Sequence, residues 1–253
     1  MTIHIPRRKI ETKRETIVRL PDGHYAFPNQ IAPFQTDAVV NLEDYALIKQ
    51  GSSAECIISM KQELGVLNSF DANREALRRG LFIPPLALFM PHYRNVNLSQ
   101  QGKGVIYDAT GKIITGYRLH DYSTKINTEC WVSLNDYFFR EAEGGFLDLT
   151  LCKIIGFDDE NNPIFKKSPL EKCLEKDCWA DLESLNQQGL PTKESPIMLS
   201  EAGKSIFFHF PKHNSVARFG ADSNGIYLNC FRDPQYLNSD LGVFLATAGT
   251  KKI

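Results

Sequence analysis

The sequence contains no apolar stretch that approaches the roughly 18 to 20 residues of a membrane-spanning helix, and its N-terminus lacks the apolar segment of a signal peptide. We therefore expect a cytoplasmic or virion-associated protein that inserts into no membrane. A formal net charge of -1 gives no general attraction to nucleic acid or anionic lipid, so neither is expected as a partner. With 253 residues, of which 42% are hydrophobic, the chain is long enough to bury a substantial core unaided.

The common signatures of catalysis and metal binding are also missing. The sequence has no GxxxxGK[ST], GxGxxG or GxSxG motif, and its 6 cysteines include no CxxC pair. His209 and His213 would suit a metal only on a helix, whereas Pro211 between them predicts a strand and a loop. The acidic segment 158–160 lacks the spacing of a calcium loop and indicates a solvated turn. We therefore expect neither a metal nor a cofactor.

One arrangement leaves an enzymatic alternative open. Cys130 follows His120 and Asp121 in the chain, and a thiolate nucleophile needs an imidazole and an orienting acid beside it. The main alternative function is therefore a cysteine-dependent hydrolase or transferase that uses Cys130 and His120. Cys130 also has the apolar spacing of a helix, which favours a buried, inert thiol. We expect a protein that is not an enzyme.

Periodicity and capping residues predict helices in the first two thirds of the chain. Residues 1–40 are rich in Pro, Gly and polar groups, and "RLPDGHYAFP" predicts a turn within an extended arm. Three short helices fit residues 41–80, which begin with an Asn cap. A stiff connection follows at 82–93. We expect a buried helix within 127–145 and another helix that begins at the Ser168 cap.

Strand signals are concentrated in two hairpins and in the tail. Asp and Gly residues in segment 108–112 predict a tight turn between β-rich runs, and segment 158–165 predicts a second turn. Short β-type runs separated by polar loops fill the chain from about residue 204. This distribution predicts an α+β fold, with one domain over 41–253 and an arm over 1–40.

The segment from about 216 to 246 resembles the variable region of the proteins that diversity-generating retroelements mutate, which carry a C-type lectin-like fold. A weaker likeness to such target proteins, some of them viral or archaeal, extends upstream through "GLFIPPLALFMPHYRNV" and "CWVSLND". The close likeness depends on a frame of residues: Arg218, Phe219, Asp222, Leu228, Cys230, Arg232, Pro234, Gln235, Leu241, Gly242 and Val243.

The resemblance implies a ligand-binding surface at the positions between the frame residues. In this family a reverse transcriptase makes errors at adenines, so that Asn codons of the AAY type become codons for many other residues. The residues at the intervening positions all belong to that reachable set: Asn224, Gly225, Ile226, Tyr227, Asn229, Phe231, Tyr236, Leu237, Asn238, Ser239 and Asp240. The resemblance therefore implies recognition of varied macromolecular ligands, and we expect the ligand to be a protein of unknown identity.

The composition of the segment independently favours binding, although a simpler interpretation exists. Tyr offers a large contact area with few torsions to order, while Asn, Ser and Asp supply adaptable hydrogen bonds. We expect Tyr227, Phe231 and Tyr236 to be the aromatic anchors. A structural interaction protein would instead use the same segment as ordinary hairpins, with its aromatic residues in the core. The oligomeric state does not follow from the sequence.

Overall fold

The protein is described by a computed structural model that covers residues 18–19, 25–26, 37–50, 53–143, 146–237 and 240–249. These residues form three α-helices and two larger sheets of seven and three strands, in addition to a two-stranded pair. The α+β prediction is thereby confirmed. In the part of the chain that the structure covers, no helix is both long and apolar enough to cross a membrane. Most of the predicted arm over 1–40 lies outside the described residues.

In chain order the elements are β1 (Val18–Arg19), β2 (Tyr25–Ala26), a 3-10 helix (Leu42–Asp44), β3 (Tyr45–Gln50), β4 (Ser53–Ser59), α1 (Ser69–Arg78), α2 (Leu86–Gln100), α3 (Gly116–Thr128), β5 (Cys130–Glu143), β6 (Phe146–Phe157), β7 (Pro163–Pro169), β8 (Cys178–Asp181), β9 (Ser205–His209), β10 (Ser215–Asp222), β11 (Gly225–Arg232) and β12 (Ala246–Ala248). The three α-helices follow one another in the chain, between strand β4 and strand β5.

The large sheet has the strand order β7-β6-β5-β10-β11-β9-β8. Its pairs are antiparallel except for β11 and β9, which run parallel. The hairpin of β10 and β11 therefore lies at the centre of the sheet, with paired strands on both sides. The smaller sheet has the order β12-β4-β3.

One face of the large sheet, here called the inner face, packs against α2 and α3. Phe89 and Tyr93 of α2 contact the ring of Phe219 on β10, with ring centroids 5.0 and 4.7 Å apart. Leu228 and Cys230 of β11 are buried in the same cluster. The hydrophobic effect on this face thus fixes the position of the central hairpin.

The opposite face, here called the outer face, is covered by α1 only over β5 and β6. Phe70 of α1 stacks on Tyr137 with ring centroids 5.4 Å apart, and Asn73 Nδ2 donates to the Tyr137 hydroxyl at 3.0 Å. Ser69 Oγ lies 3.0 Å from Ser133 Oγ at the end of this contact. The helix leaves the outer face of β11, β9 and β8 without a covering helix among the described residues.

Several predicted helices are wrong, for a common reason. Residues 45–50 and 53–59 are β3 and β4, and residues 130–143 are β5. These strands bury side chains on both faces: Ala46 and Ile48 lie in the main core, whereas Tyr45 and Leu47 lie in a second cluster. A strand that buries residues on both faces has no regular alternation of apolar and polar residues, so its pattern cannot be distinguished from that of a buried helix.

Two further predictions differ from the structure. The helix expected from Ser168 is absent because β7 continues to Pro169, and the segment beyond it pairs with β9 as β8. Glu171, expected in the first helical turn, instead accepts a hydrogen bond from the N–H of Gln187 at 2.9 Å. The expected connection at 82–93 contains the start of α2, in which Pro91 is accommodated.

The second hairpin is confirmed, whereas the first is reduced to a single bridge because α3 begins at Gly116, within the expected second strand. Tyr107 and Ile113 form a bridge across the 108–112 turn, and β6 pairs with β7 across the second turn. β1 and β2 pair across the predicted arm turn. The β-type runs of the tail form β9 to β12. At each of these turns, Pro, Gly, Asp or Asn residues separate two segments that pair with each other.

Asp136 on β5 is a buried acid that helps to position α2. Its Oδ2 accepts a hydrogen bond from the N–H of Leu86, the first residue of α2, whose N-cap residue Pro85 supplies no side-chain bond. Lys153 Nζ lies 3.9 Å from Oδ1. Burial raises the pKa of Asp136 from 3.8 to about 6, against the lowering effects of Lys153 and of the Leu86 N–H. The protonated form is therefore the better accommodated one.

The raised pKa of Asp136 predicts that the free energy of unfolding depends on pH. Because the folded-state pKa exceeds the unfolded value, the stability linked to Asp136 is complete below about pH 4 and is lost as the pH rises through about 6, by about 3 kcal/mol. Asp136→Asn keeps an acceptor for Leu86 but cannot ionise. We expect the free energy of unfolding of the wild type, relative to D136N, to fall between pH 4 and 7 in urea titrations.

The exposed turn residue Asp159 provides the control, since D159N should show no such trend relative to the wild type. If the stability of the wild type relative to D136N instead rose with pH, the folded protein would favour the Asp136 carboxylate, which would contradict the prediction.

Candidate ligand-binding face of the large sheet

The uncovered part of the outer face carries side chains in cross-strand rows. Strand register places one row across β5, β10, β11, β9 and β8, and four of its five members are aromatic. The row consists of Trp131, Gly220, Tyr227, Phe207 and Trp179. Side chains that are opposite one another on neighbouring strands lie close enough to interact, so the row forms a continuous aromatic strip.

Gly220 leaves the gap that brings Trp131 and Tyr227 together. A Cβ atom at Gly220 would lie 2.4 Å from Cζ3 of Trp131, which shows that the indole lies directly over β10. The indole reaches across the glycine to stack on Tyr227, with centroids 6.2 Å apart and an interplanar angle of 15°. Trp179 and Phe207 continue the strip edge to face, 5.1 Å apart. All four aromatic side chains are half-buried.

The next row is polar. It contains Ser133, Arg218, Asn229 and His209 on neighbouring strands. His209 Nδ1 lies 3.0 Å from a carboxylate oxygen of Asp177, which precedes β8. The row therefore places hydrogen-bonding groups immediately beside the aromatic strip.

Arg218 and Asn229 form a buried polar pair with unused hydrogen-bonding capacity. Arg218 is only 4% exposed and Asn229 2%. Arg218 Nη2 donates to the carbonyl oxygens of Asp233 at 2.9 Å and Tyr236 at 3.3 Å, but Arg218 Nε and Asn229 Oδ1 have no hydrogen-bond partner among the described residues. Such buried unpartnered groups are costly, and each one in a native structure needs an explanation.

The charge of Arg218 is only partly compensated. Burial lowers the pKa of Arg218 to about 10, and the nearby Arg232 guanidinium lowers it further, whereas Tyr236 and Asp233 raise it. No carboxylate of the described residues forms an ion pair with Arg218 or Arg232. An anionic group brought to this position would relieve the repulsion between the two guanidinium groups.

Phe231, the next outward residue of β11, lies among cations. Its ring is in edge contact with His209 at 4.8 Å between centroids. Lys212 Nζ lies 5.2 Å and Arg232 Cζ 4.7 Å from the ring centroid. These distances suit cation–π interactions, so the ring holds two positive groups at the rim of the face.

The loop after β11 folds back over the polar row. Tyr236 is 54% exposed and its ring lies 5.4 Å from Arg218 Cζ. The loop is anchored to α1 because the N–H of Ser69 donates to the carbonyl of Pro234 at 2.9 Å. Gln62 Nε2 holds the other end by donating to the carbonyl of Asp240 at 2.9 Å.

Most of the predicted site residues that the structure describes are accessible. Tyr227 and Phe231 are half-buried on the outer face, Gly225 is half-buried in the turn before them, and four others are exposed: Asn224, Tyr236, Leu237 and Asp240. Asn238 and Ser239 lie outside the described residues. The accessible members come from one strand, one turn and one loop that border the same sheet face.

Two of the predicted residues are not accessible. Ile226 points to the inner face and is buried in the main core, because it lies between Tyr227 and Gly225 in an alternating strand. Asn229 points outward next to Arg218 on β10, but it is only 2% exposed. Direct contact of these two residues with a ligand stays a prediction, and in this conformation both side chains are covered.

The sequence interpretation missed the residues from distant strands. Trp131, Trp179, Phe207 and His209 complete the face, yet they come from β5, β8 and β9. Alternation within "IFFHF" was a usable signal, since Phe208 is buried while Phe207 and His209 are partly exposed. The register that places them beside Tyr227 depends on long-range pairing.

The residues of the enzymatic alternative are differently placed. Cys130 is buried in the main core, and burial raises the pKa of its thiol well above the usual range. His120 lies on the exposed side of α3, where Nδ1 is 3.4 Å from Gln100 Nε2. A thiolate nucleophile needs a lowered pKa, so this environment disfavours that chemistry.

The two candidate metal ligands also have other partners. His209 pairs with Asp177, and His213 Nδ1 accepts a hydrogen bond from the Arg140 N–H at 2.9 Å. Among the residues with described coordinates, no group of three or more His, Cys, Asp or Glu side chains is arranged to hold a metal ion. The two histidines are part of the sheet's polar contacts.

No protein-family model matches the sequence, and neither a curated protein nor a solved structure matches the chain. The resemblance in segment 216–246 and the geometry of the outer face are therefore the two indications of function.

The Gly220 gap predicts a specific effect of a single methyl group. Gly220→Ala would place a Cβ within the indole of Trp131 and force the ring away from Tyr227. We expect a loss of about 1 to 3 kcal/mol in the free energy of unfolding, because the strand and ring are overpacked. The sequence contains 2 tryptophans, so a Trp179→Phe background leaves Trp131 as the remaining one. In that background, Gly220→Ala should shift the tryptophan fluorescence emission to longer wavelength, because the displaced indole is more exposed to water.

Gly156→Ala is the matched control, since a Cβ there meets only Ile164 Cδ1 at 3.8 Å, an ordinary contact. An unchanged emission spectrum and stability in the Gly220→Ala variant would contradict the proposed stacking of Trp131 over β10.

Proposed function

We propose that this chain is a ligand-binding protein with a C-type lectin-like fold, whose C-terminal surface is diversified by retroelement-mediated mutagenesis to recognise varied macromolecular targets. One observation carries the proposal: Tyr227, Phe231 and Tyr236 are accessible on one face around Arg218 and Asn229, whose Nε and Oδ1 atoms have no hydrogen-bond partner among the described residues. Aromatic anchors next to unused hydrogen-bonding groups suit a protein ligand, because such anchors supply most of the binding energy at interfaces.

The alternation of β11 supports a surface that varies without loss of the fold. Leu228 and Cys230 face the core, whereas Tyr227 and Phe231 face outward. A change at an outward position alters the ligand contacts and leaves the packing against α2 intact. Segregation of helices and a mostly antiparallel sheet, with a loop-rich C-terminal segment, supports the C-type lectin-like assignment.

The charges around Phe231 favour an acidic target. Lys212 and Arg232 lie beside the ring, and neither forms an ion pair with a described acidic residue. A carboxylate of the ligand would contact these cations while an apolar group of the ligand covers Phe231. Binding to such a target weakens as the salt concentration rises, because the rim charges are partly exposed.

A saturation library of the full chain tests whether the surface tolerates diversification. The surface set consists of Asn224, Tyr227, Phe231, Tyr236, Leu237 and Asp240, and the frame set of Phe219, Leu228 and Cys230. Protease resistance of displayed variants reports folding. Most substitutions in the surface set should change the free energy of unfolding by about 0.5 kcal/mol or less, whereas alanine or polar substitutions in the frame set should cost about 2 to 5 kcal/mol.

Binding is tested with the surface set randomised together and selected on calmodulin, an acidic probe protein. The matched control randomises six exposed positions of α3 and the residue that follows it: Tyr117, His120, Thr124, Lys125, Thr128 and Glu129. Salt-sensitive binders should come from the surface library and not from the α3 library. Equal yields from both libraries, or a surface set as intolerant as the frame set, would contradict the proposal.

A further inference from the structure

A pocket of about 220 Å³ lies between α2 and the segment before the 108–112 turn, on the helical side of the molecule. Ala87, Pro91, Asn95 and Ser99 line it along α2 at a spacing of four residues, so they share one side of the helix. Pro91 and Asn95 are exposed at its mouth, while its floor is buried. The pocket is separate from the outer face of the sheet.

Unused hydrogen-bonding groups line this pocket. Ser99 is 8% exposed, and its Oγ has no hydrogen-bond partner among the described residues. Gly104 lies opposite, where an added Cβ would be 3.4 Å from Ser99 Oγ, so no side chain of residue 104 stands against the hydroxyl. Pro91 has no N–H, and the carbonyl of Ala87 thus loses its usual helical donor. The pocket therefore offers a hydroxyl and a carbonyl to a guest molecule.

The lining carries no Asp, Glu, Lys or Arg among the described residues, and its polar side chains besides Ser99 are Asn95, His92 and Tyr107. The Nε2 atom of His92 lies 2.7 Å from the Tyr122 hydroxyl. Burial lowers the pKa of His92 to about 4, so the ring is neutral at physiological pH. A charged guest would lose its hydration without gaining a counter-ion.

We propose that this pocket binds a small neutral ring compound that carries one hydroxyl or N–H group, of the phenol or indole class. The size is appropriate, because an apolar cavity of about 150 Å³ holds benzene and the larger volume here leaves room for substituents. The ring contacts the apolar walls formed with Ile106 and Leu88, and its polar group bonds Ser99 Oγ. This site is independent of the ligand surface on the sheet.

Titration of the full chain with two matched probes, p-cresol and toluene, tests the proposal. Ligand-observed NMR gives a dissociation constant for each probe. Both probes should bind in a saturable manner, and Ser99→Ala should weaken p-cresol binding about three- to tenfold through the lost hydrogen bond while leaving toluene unaffected. Gln100→Ala, at an exposed neighbouring position that does not line the pocket, should change neither constant.

Two filling variants keep the test independent of one substitution. Ala87→Leu adds volume to the α2 wall, and Gly104→Val covers Ser99 from the opposite side; each should abolish binding of both probes in a protein whose thermal unfolding is still cooperative. The proposal is overturned if neither probe binds at millimolar concentration, if folded filling variants still bind, or if Ser99→Ala weakens both probes equally.

Discussion

The structure depends on the packing of the central hairpin against the helices. Phe219 of β10 contacts Phe89 and Tyr93 of α2, and Leu228 of β11 is buried beside them. Burial of this inner face fixes the register of both strands, since a slip by one residue would expose the apolar side chains. The register in turn determines which residues of β5, β9 and β8 lie next to Tyr227 on the outer face.

The outer face carries polar atoms that find no partner among the described residues. Arg218 Nε and Asn229 Oδ1 are buried in this way, and Gly220 beside them leaves the space that the indole of Trp131 fills. Such buried atoms lower the stability of the free protein. Under the proposed function, a ligand bound to this face would cover the ring of Phe231 and bring polar groups close to these atoms.

Local signals allowed the prediction of the hairpins, the strands of the tail and α1, because turn residues and an N-cap specify them within a few positions. The strands β3 and β5 could not be recognised, since both of their faces are buried and their sequences lack alternation. For the site, the sequence indicated Tyr227, Phe231 and Tyr236. The contribution of Trp131 follows only from the pairing of β5 with β10, which no local pattern specifies.

The nucleotide sequence of the gene and its surroundings is the decisive measurement for a diversified surface. We predict a nearby near-copy of the region that encodes residues 216–246, whose differences from the gene occur at adenines of the copy and change codons 224, 227, 231, 236, 237 and 240 of the outer face and its bordering loops. The codons of Phe219, Leu228 and Cys230 should be identical in both. Absence of any such copy from the genome, or differences spread equally over outward and buried codons, would contradict a surface diversified on a fixed scaffold.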